Sequence, residues 1–245
     1  MKKNIVVLAA LVAGAASLSA DEAAAPEGPA LSISSTLAYD SLYVFRGTQF
    51  AESILSPAIS GSYGDFYCGL WFALPLRDEA YFCNEMDANV GYGFTLTDSL
   101  SLDVGVTRYT YDDIPDDFMT DYSNTTEFYV GASLDVPLSP AVYIYRDIDL
   151  DCTTVEARAS YSFTLSKPLT LDLSLAVGDA MPDDGDEHMY YAGSANLTYA
   201  INDSSSVSGG VRIGGASEDY IYGDILDPDE CGSAVWFGMS YSTSF

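Results

Sequence analysis

Charged side chains in this sequence recur at every second position of segments that are otherwise apolar or built from small residues. Asp40, Glu85, Asp87, Asp103, Glu127, Asp135, Glu156 and Asp172 have this spacing, and so do Arg158 and Arg212. Positions two apart lie on one face of a strand, so each segment would hold its charges on one side and hydrocarbon on the other. Carboxylates gathered on a common inner face could line a wet passage, where rings of negative charge favour cations. The same groups could instead pair with the arginines into a structural network that fills the interior. Glu156 and Arg158 share a face two residues apart, and Asp172 falls close by on the next segment, so pairing is open to them. Arg146 lies in a segment that can be read in either register.

Covalent chemistry has little to work with. His188 is the single histidine, and no serine or acid motif accompanies it, so no enzyme activity, catalytic residue or cofactor is expected. The acidic runs at residues 182–188 and 227–230 carry oxygen ligands suited to Ca²⁺ or Mg²⁺ but lack EF-hand spacing. They are read as solvated loops, with no metal site. Cys83, Cys152 and Cys231 fall in connections at one end, where export would permit one disulfide whose pairing stays open. Cys68 falls near the opposite end as a small apolar filler.

Composition narrows the classes further. Thirty-six acidic residues against nine Lys or Arg give a formal charge of −27, which repels phosphate and excludes nucleic acid as a partner. A hydrophobic content of 48% is too high for a disordered acidic chain.

Residues 1–20 have a basic start, an uncharged apolar stretch and a small-residue end, as a secretory signal peptide does. Residues 21–30 read as a flexible leader. Beyond them helical periodicity is absent, and alternation with period two recurs in twelve segments. These are 31–46, 54–64, 66–74, 85–96, 99–110, 125–136, 140–147, 153–164, 169–178, 189–200, 205–214 and 233–245. Each is near or above the ~9–11 residues with which a tilted strand crosses a bilayer. The connections between them alternate short and long, and the long ones hold more than half of the acids. Short turns at one end and long loops at the other are the layout of outer-membrane barrels. The fold class expected is therefore all-β, a single up-and-down antiparallel transmembrane barrel of about twelve strands over residues 31–245.

In such a barrel the apolar parity faces lipid and the polar parity faces inward. Small inward residues, among them Gly91, Gly93, Gly105, Gly131, Ser174 and Gly210, suggest open volume. Tyr63, Phe66, Phe94, Phe163, Tyr199 and Tyr241 would form one aromatic girdle, and Tyr39, Phe45, Tyr109, Tyr111, Tyr190 and Tyr191 the other. Arg46 would sit at the rim as an interfacial anchor, a partner of Asp40 or a substrate contact. Val235, Phe237, Met239, Tyr241, Thr243 and Phe245 alternate to the chain end, which is similar to the terminal-strand signal read by the barrel assembly machinery.

Tyr43, Val44, Phe45, Arg46 and Gly47 resemble an element in the first strand of the TorF-type porin family. Further similarity lies in Ser56, Pro57, Ala58 and Ile59, in Tyr67 through Trp71, and in Glu127 through Gly131. The resemblance implies an outer-membrane barrel acting as a channel, without a defined substrate. The expectation is thus a channel in the outer membrane of a Gram-negative-type envelope. It would pass small hydrophilic solutes, with cations preferred and the ten charged residues named first lining the pore. The alternative is a non-conducting structural or adhesin-type barrel with acidic surface loops. Its partners would be outer-membrane lipid, the solutes, and the assembly machinery acting through the strand ending at Phe245.

Overall fold

The computed structural model describes residues 30–77, 84–112, 124–217 and 233–245. Among the described residues there are fourteen strands: β1 Leu31–Asp40, β2 Tyr43–Phe45, β3 Thr48–Ala51, β4 Ile54–Tyr63, β5 Phe66–Pro75, β6 Asn84–Thr95, β7 Leu100–Asp112, β8 Thr125–Leu134, β9 Ala141–Asp147, β10 Cys152–Ser166, β11 Leu169–Pro182, β12 His188–Asn202, β13 Ser205–Ala216 and β14 Ser233–Ser244. All but β2 and β3 form one closed antiparallel barrel in which each strand pairs with its sequence neighbour and β1 closes on β14. Closure runs through Leu37 opposite Tyr241 and Asp40 opposite Gly238, and Phe245 N–H donates to Ile33 O at 2.9 Å. The barrel sheet has no open edge, which is what a hydrocarbon environment demands of strands. Among the described residues no helix is long and apolar enough to cross a membrane.

Parity divides the two faces. Along β14, Val235, Phe237, Met239 and Tyr241 are exposed outward while Trp236 is buried inward. Along β8, Phe128 and Val130 face out, and Glu127 and Tyr129 are buried. The outer surface is therefore a continuous apolar girdle and the inner one polar. At the short-turn end Tyr63, Phe66, Phe163, Tyr199 and Tyr241 are exposed outward, as an aromatic belt requires.

Three expectations are corrected here. The first strand does not run to residue 46 but stops at Asp40, and residues 43–51 form a separate hairpin, β2–β3. Its tip is a two-residue turn, because Phe45 pairs with Thr48 across Arg46 and Gly47. Both turn residues have positive φ, 48° and 82°, the type I′ geometry that matches strand twist. Tyr43 and Phe45 continue the apolar parity of Leu31, Ile33, Leu37 and Tyr39 in β1, so period alone could not separate hairpin from wall. Secondly, the outer girdle loses members: Tyr109 and Tyr190 are buried inside, and Phe45 and Tyr111 pack on the hairpin cluster. Thirdly, Asp135 lies beyond the end of β8, exposed in the short turn to β9, so it belongs to the rim and not to the paired inner wall. The signal peptide, most of the leader, Cys83, Cys231 and the acids at 227–230 lie outside the described residues.

Candidate functional site

The inner wall is built from tyrosine rings laid over glycines. Tyr67 stands directly opposite Gly91, Tyr129 opposite Gly105, Tyr143 opposite Gly131 and Tyr190 opposite Gly178. A Cβ on any of these glycines would lie 2.2–2.4 Å from its ring, far inside van der Waals contact. A missing side chain on one strand is thus the seat for a ring from the next. This corrects the reading of Gly91, Gly105 and Gly131 as open volume, since an aromatic ring covers each. The rings continue into one another, with Tyr143 stacked on Tyr145 at 5.7 Å and 18°, and Tyr129 6.0 Å from Tyr145.

Hydroxyls from this layer satisfy two of the acids, Asp103 and Glu156. Tyr67 donates to Asp103 Oδ1 at 2.7 Å and Tyr143 to Asp103 Oδ2 at 3.2 Å. Tyr190 donates to Glu156 Oε2 at 2.6 Å, and Arg158 binds Glu156 and the Tyr145 hydroxyl while its guanidinium lies 4.7 Å over the Tyr143 ring. Asp172 accepts from Ser162 at 2.6 Å and Thr198 at 2.7 Å. On the opposite wall Arg212 Nε is 2.9 Å from Asp40 Oδ1. That pair lies across Gly238, where a Cβ would come within 2.2 Å of both groups. Glu85 and Asp87 are buried side by side on β6 at 2% and 1% exposure.

The hairpin crosses the lumen. Its root is apolar: Tyr43, Ala51, Ile54 and Ala73 form a buried cluster with Phe45, Phe50, Trp71 and Tyr111 against it. Its tip reaches β8 and β9, which lie on the far side of the twelve-membered ring from β1. There Arg46 donates from Nη1 to Glu127 Oε2 at 2.5 Å and from Nη2 to Oε1 at 2.9 Å. Tyr109 adds a donor to Oε1 at 3.1 Å. The guanidinium rests 4.4 Å above the Tyr145 ring and 4.8 Å from Phe45. Burial works against the Arg46 charge, but the Glu127 carboxylate more than offsets it and holds the pKa well above the ordinary value. A left-handed backbone at a non-glycine residue costs about 1–2 kcal/mol. A bidentate, ring-stacked ion pair is the kind of interaction that sustains it. Beside the tip is an open-mouthed cavity lined by Arg46, Asn89, Glu127, Tyr129, Arg158 and Tyr190 among others.

Asp40, Glu85, Asp87, Asp103, Glu127, Glu156, Arg158, Asp172 and Arg212 thus all stand on the inner face, while Asp135 does not. Asp147 stands there as well, 5% exposed. Arg146 takes the outward register at the long-loop rim, with both of its terminal nitrogens 2.9 Å from Asp183. That contact holds the Asp183 carboxyl below the usual aspartate range. Arg46 is the largest surprise, pairing with Glu127 and not with Asp40. The tyrosine layer was also missed, although its signal is present as inward-parity tyrosines one strand away from inward-parity glycines. His188 begins β12, its ring 6.4 Å from that of Tyr190. Among the described residues no three His, Cys, Asp or Glu side chains converge as a metal would need.

Residues 23–146 match the profile of a family described as bacterial proteins of unknown function, Gcw_chp. The chain belongs to the Gcw_chp family. The matched region spans β1 to β9 and so includes the hairpin, Glu127 and the Tyr143–Tyr145 stack. A search of curated proteins finds no match. Among solved structures the Gcw_chp chain is similar to the KdgM porin, with TM-score 0.57 and 12% identity over 87% of this chain and 99% of that one. A KdgM porin in complex with disordered oligogalacturonate gives 0.56 and 12% over the same shares. The NanC porin gives 0.53 and 11%, over 87% and 99%. At this identity the likeness is one of fold: a closed twelve-stranded barrel of the outer-membrane type, with the apolar girdle such a barrel presents to lipid.

Proposed function

We propose that this protein is a porin-like channel of the outer membrane that passes small hydrophilic solutes by passive diffusion and prefers cations. The observation that carries the reading is the division of the closed barrel into an apolar exterior and a polar, charged interior. Asp40, Glu85, Asp87, Asp103, Glu127, Asp147, Glu156 and Asp172 face inward against Arg46, Arg158 and Arg212. The three arginines each neutralise one acid, which leaves a net negative field. These inward residues are the proposed pore lining. The porin folds of KdgM and NanC and the TorF-type resemblance at residues 43–47 support the same reading. Residues 1–20 would direct export, and the strand ending at Phe245 would be the element the assembly machinery engages.

A second reading has one observation in its favour. The hairpin inside the lumen, tied down at Glu127, is what a non-conducting structural or adhesin-type barrel would also contain. Conductance of the refolded protein in planar bilayers separates the two. Discrete channel events with reversal potentials shifted toward the cation in a KCl gradient are expected. Silence from correctly folded protein, including a variant with residues 43–51 replaced by a short glycine-serine link, would reject the channel. Anion preference would reject the assignment of the lumen field.

A further inference from the structure

The hairpin tip occupies a site that is built for a cation and belongs to the opposite wall. Glu127 presents both carboxylate oxygens in one plane, Tyr109 fixes one of them from the side, and the Tyr145 ring forms the floor. A planar fork of N–H donors lying on an aromatic face fits this arrangement in charge, hydrogen-bond geometry and shape at once. The group now filling it reaches it from a strand on the far side of the barrel and holds a left-handed backbone to do so. Only the tip makes these contacts, since the root is held separately by the Tyr43, Ala51, Ile54 and Ala73 cluster. The adjoining cavity has both Arg46 and Glu127 in its lining, so the ion pair borders open space.

We propose that Glu127, Tyr109 and Tyr145 form a binding site for guanidinium-type cations, that Arg46 closes the lumen by occupying it, and that solutes carrying a guanidinium group open the lumen by replacing Arg46 there. Exchange of one guanidinium for another conserves the two charged hydrogen bonds and the ring contact. A potassium ion supplies the charge alone, and a primary ammonium supplies charge without the planar fork. The preference among cations is therefore set by shape as well as by field. The gating consequence rests on the channel reading above, whereas the existence of the site does not.

The experiment uses methylguanidinium, with methylammonium and K⁺ at equal ionic strength as comparisons. In detergent-solubilised Arg46→Ala protein the site is vacated, and about 10 mM methylguanidinium should raise the unfolding temperature by about 2–5 °C. Methylammonium and K⁺ should give less than about 1 °C, and the Arg46→Ala/Glu127→Gln double variant should lose the response. Should Arg46→Ala fail to refold, Arg46→Lys keeps a charge on the tip without the fork and serves the same comparison, with a smaller rise expected. No selective stabilisation in the variant that folds overturns the site, whatever the conductance. In bilayers, methylguanidinium should increase the opening frequency of the wild-type protein about threefold or more and leave Arg46→Ala openings no more frequent. Equal effects of methylguanidinium and K⁺ on a conducting wild-type protein overturn the gating step. A barrel silent in every variant refutes the channel and leaves the site to be judged by stabilisation alone.

Discussion

Substituting Gly131 by alanine tests whether glycine seats the tyrosine layer. A Cβ there would lie 2.3, 2.4 and 2.6 Å from three atoms of the Tyr143 ring. Carbon atoms in ordinary contact are ~3.5–4.0 Å apart, so the ring must retreat by roughly 1 Å or more. It has little room to do so, being 4% exposed, stacked on Tyr145, covered by the Arg158 guanidinium and hydrogen-bonded to Asp103. Overpacking of this sort costs about 1–3 kcal/mol, and weakening a hydrogen bond to a charged acceptor adds about 1–2 kcal/mol. The lower chain entropy of alanine returns about 0.5–1 kcal/mol. A net loss of about 2–3 kcal/mol follows, measurable as a shifted urea midpoint at unchanged slope in detergent micelles. Gly209→Ala is the matched control, because its Cβ would meet nothing nearer than 3.8 Å, and it should stay within about 0.5 kcal/mol of wild type. Equal destabilisation of the two variants would refute the reasoning. So would a double-mutant cycle in which Tyr143→Ala fails to absorb the cost of Gly131→Ala.

Other outcomes follow from the same geometry. Gly47→Val forces a branched side chain into φ 82° and should cost about 1–2 kcal/mol in the same unfolding assay. Because it misplaces the hairpin tip, it should also raise bilayer conductance. Arg158→Glu removes a positive charge from beside Glu156 and adds a negative one, so the reversal potential in a KCl gradient should move further toward the cation; a move toward the anion would contradict the inward placement. The Asp183 carboxyl should titrate by carbon-13 NMR below an ordinary aspartate and return toward it in Arg146→Ala. Since its folded pKa is depressed, the small stabilisation it brings is present above the unfolded pKa and disappears as pH falls through the folded one. His188→Ala should leave conductance unchanged.

Much of the barrel was legible in the chain itself because strand parity is a local property. A side chain's face follows from its neighbours one and two positions away, so the twelve-strand count and the apolar girdle could be read without knowing which strands meet. The same holds for the inward parity of Glu85, Asp87, Glu127, Glu156 and Arg212. The alternation of short and long connections likewise survives any local error in strand boundaries. Asp135 was misplaced because parity says which way a residue points but not where pairing stops.

What the tertiary structure alone decided depends on groups distant in sequence. Arg46 and Glu127 are 81 residues apart, and nothing near either one marks the other as its partner. Their meeting needs a closed ring of strands, a hairpin leaving the wall at Asp40, and a two-residue turn aimed across the lumen. Small inward residues suggested space for the same reason: whether a glycine leaves a void or seats a ring is settled by the residue opposite, and Tyr143 is opposite Gly131 only once the strand register is set. The sequence therefore determined which side chains could reach the interior. Which of them touch, and which segment fills the middle, was decided by closure of the sheet, because long-range packing energies have no local signature.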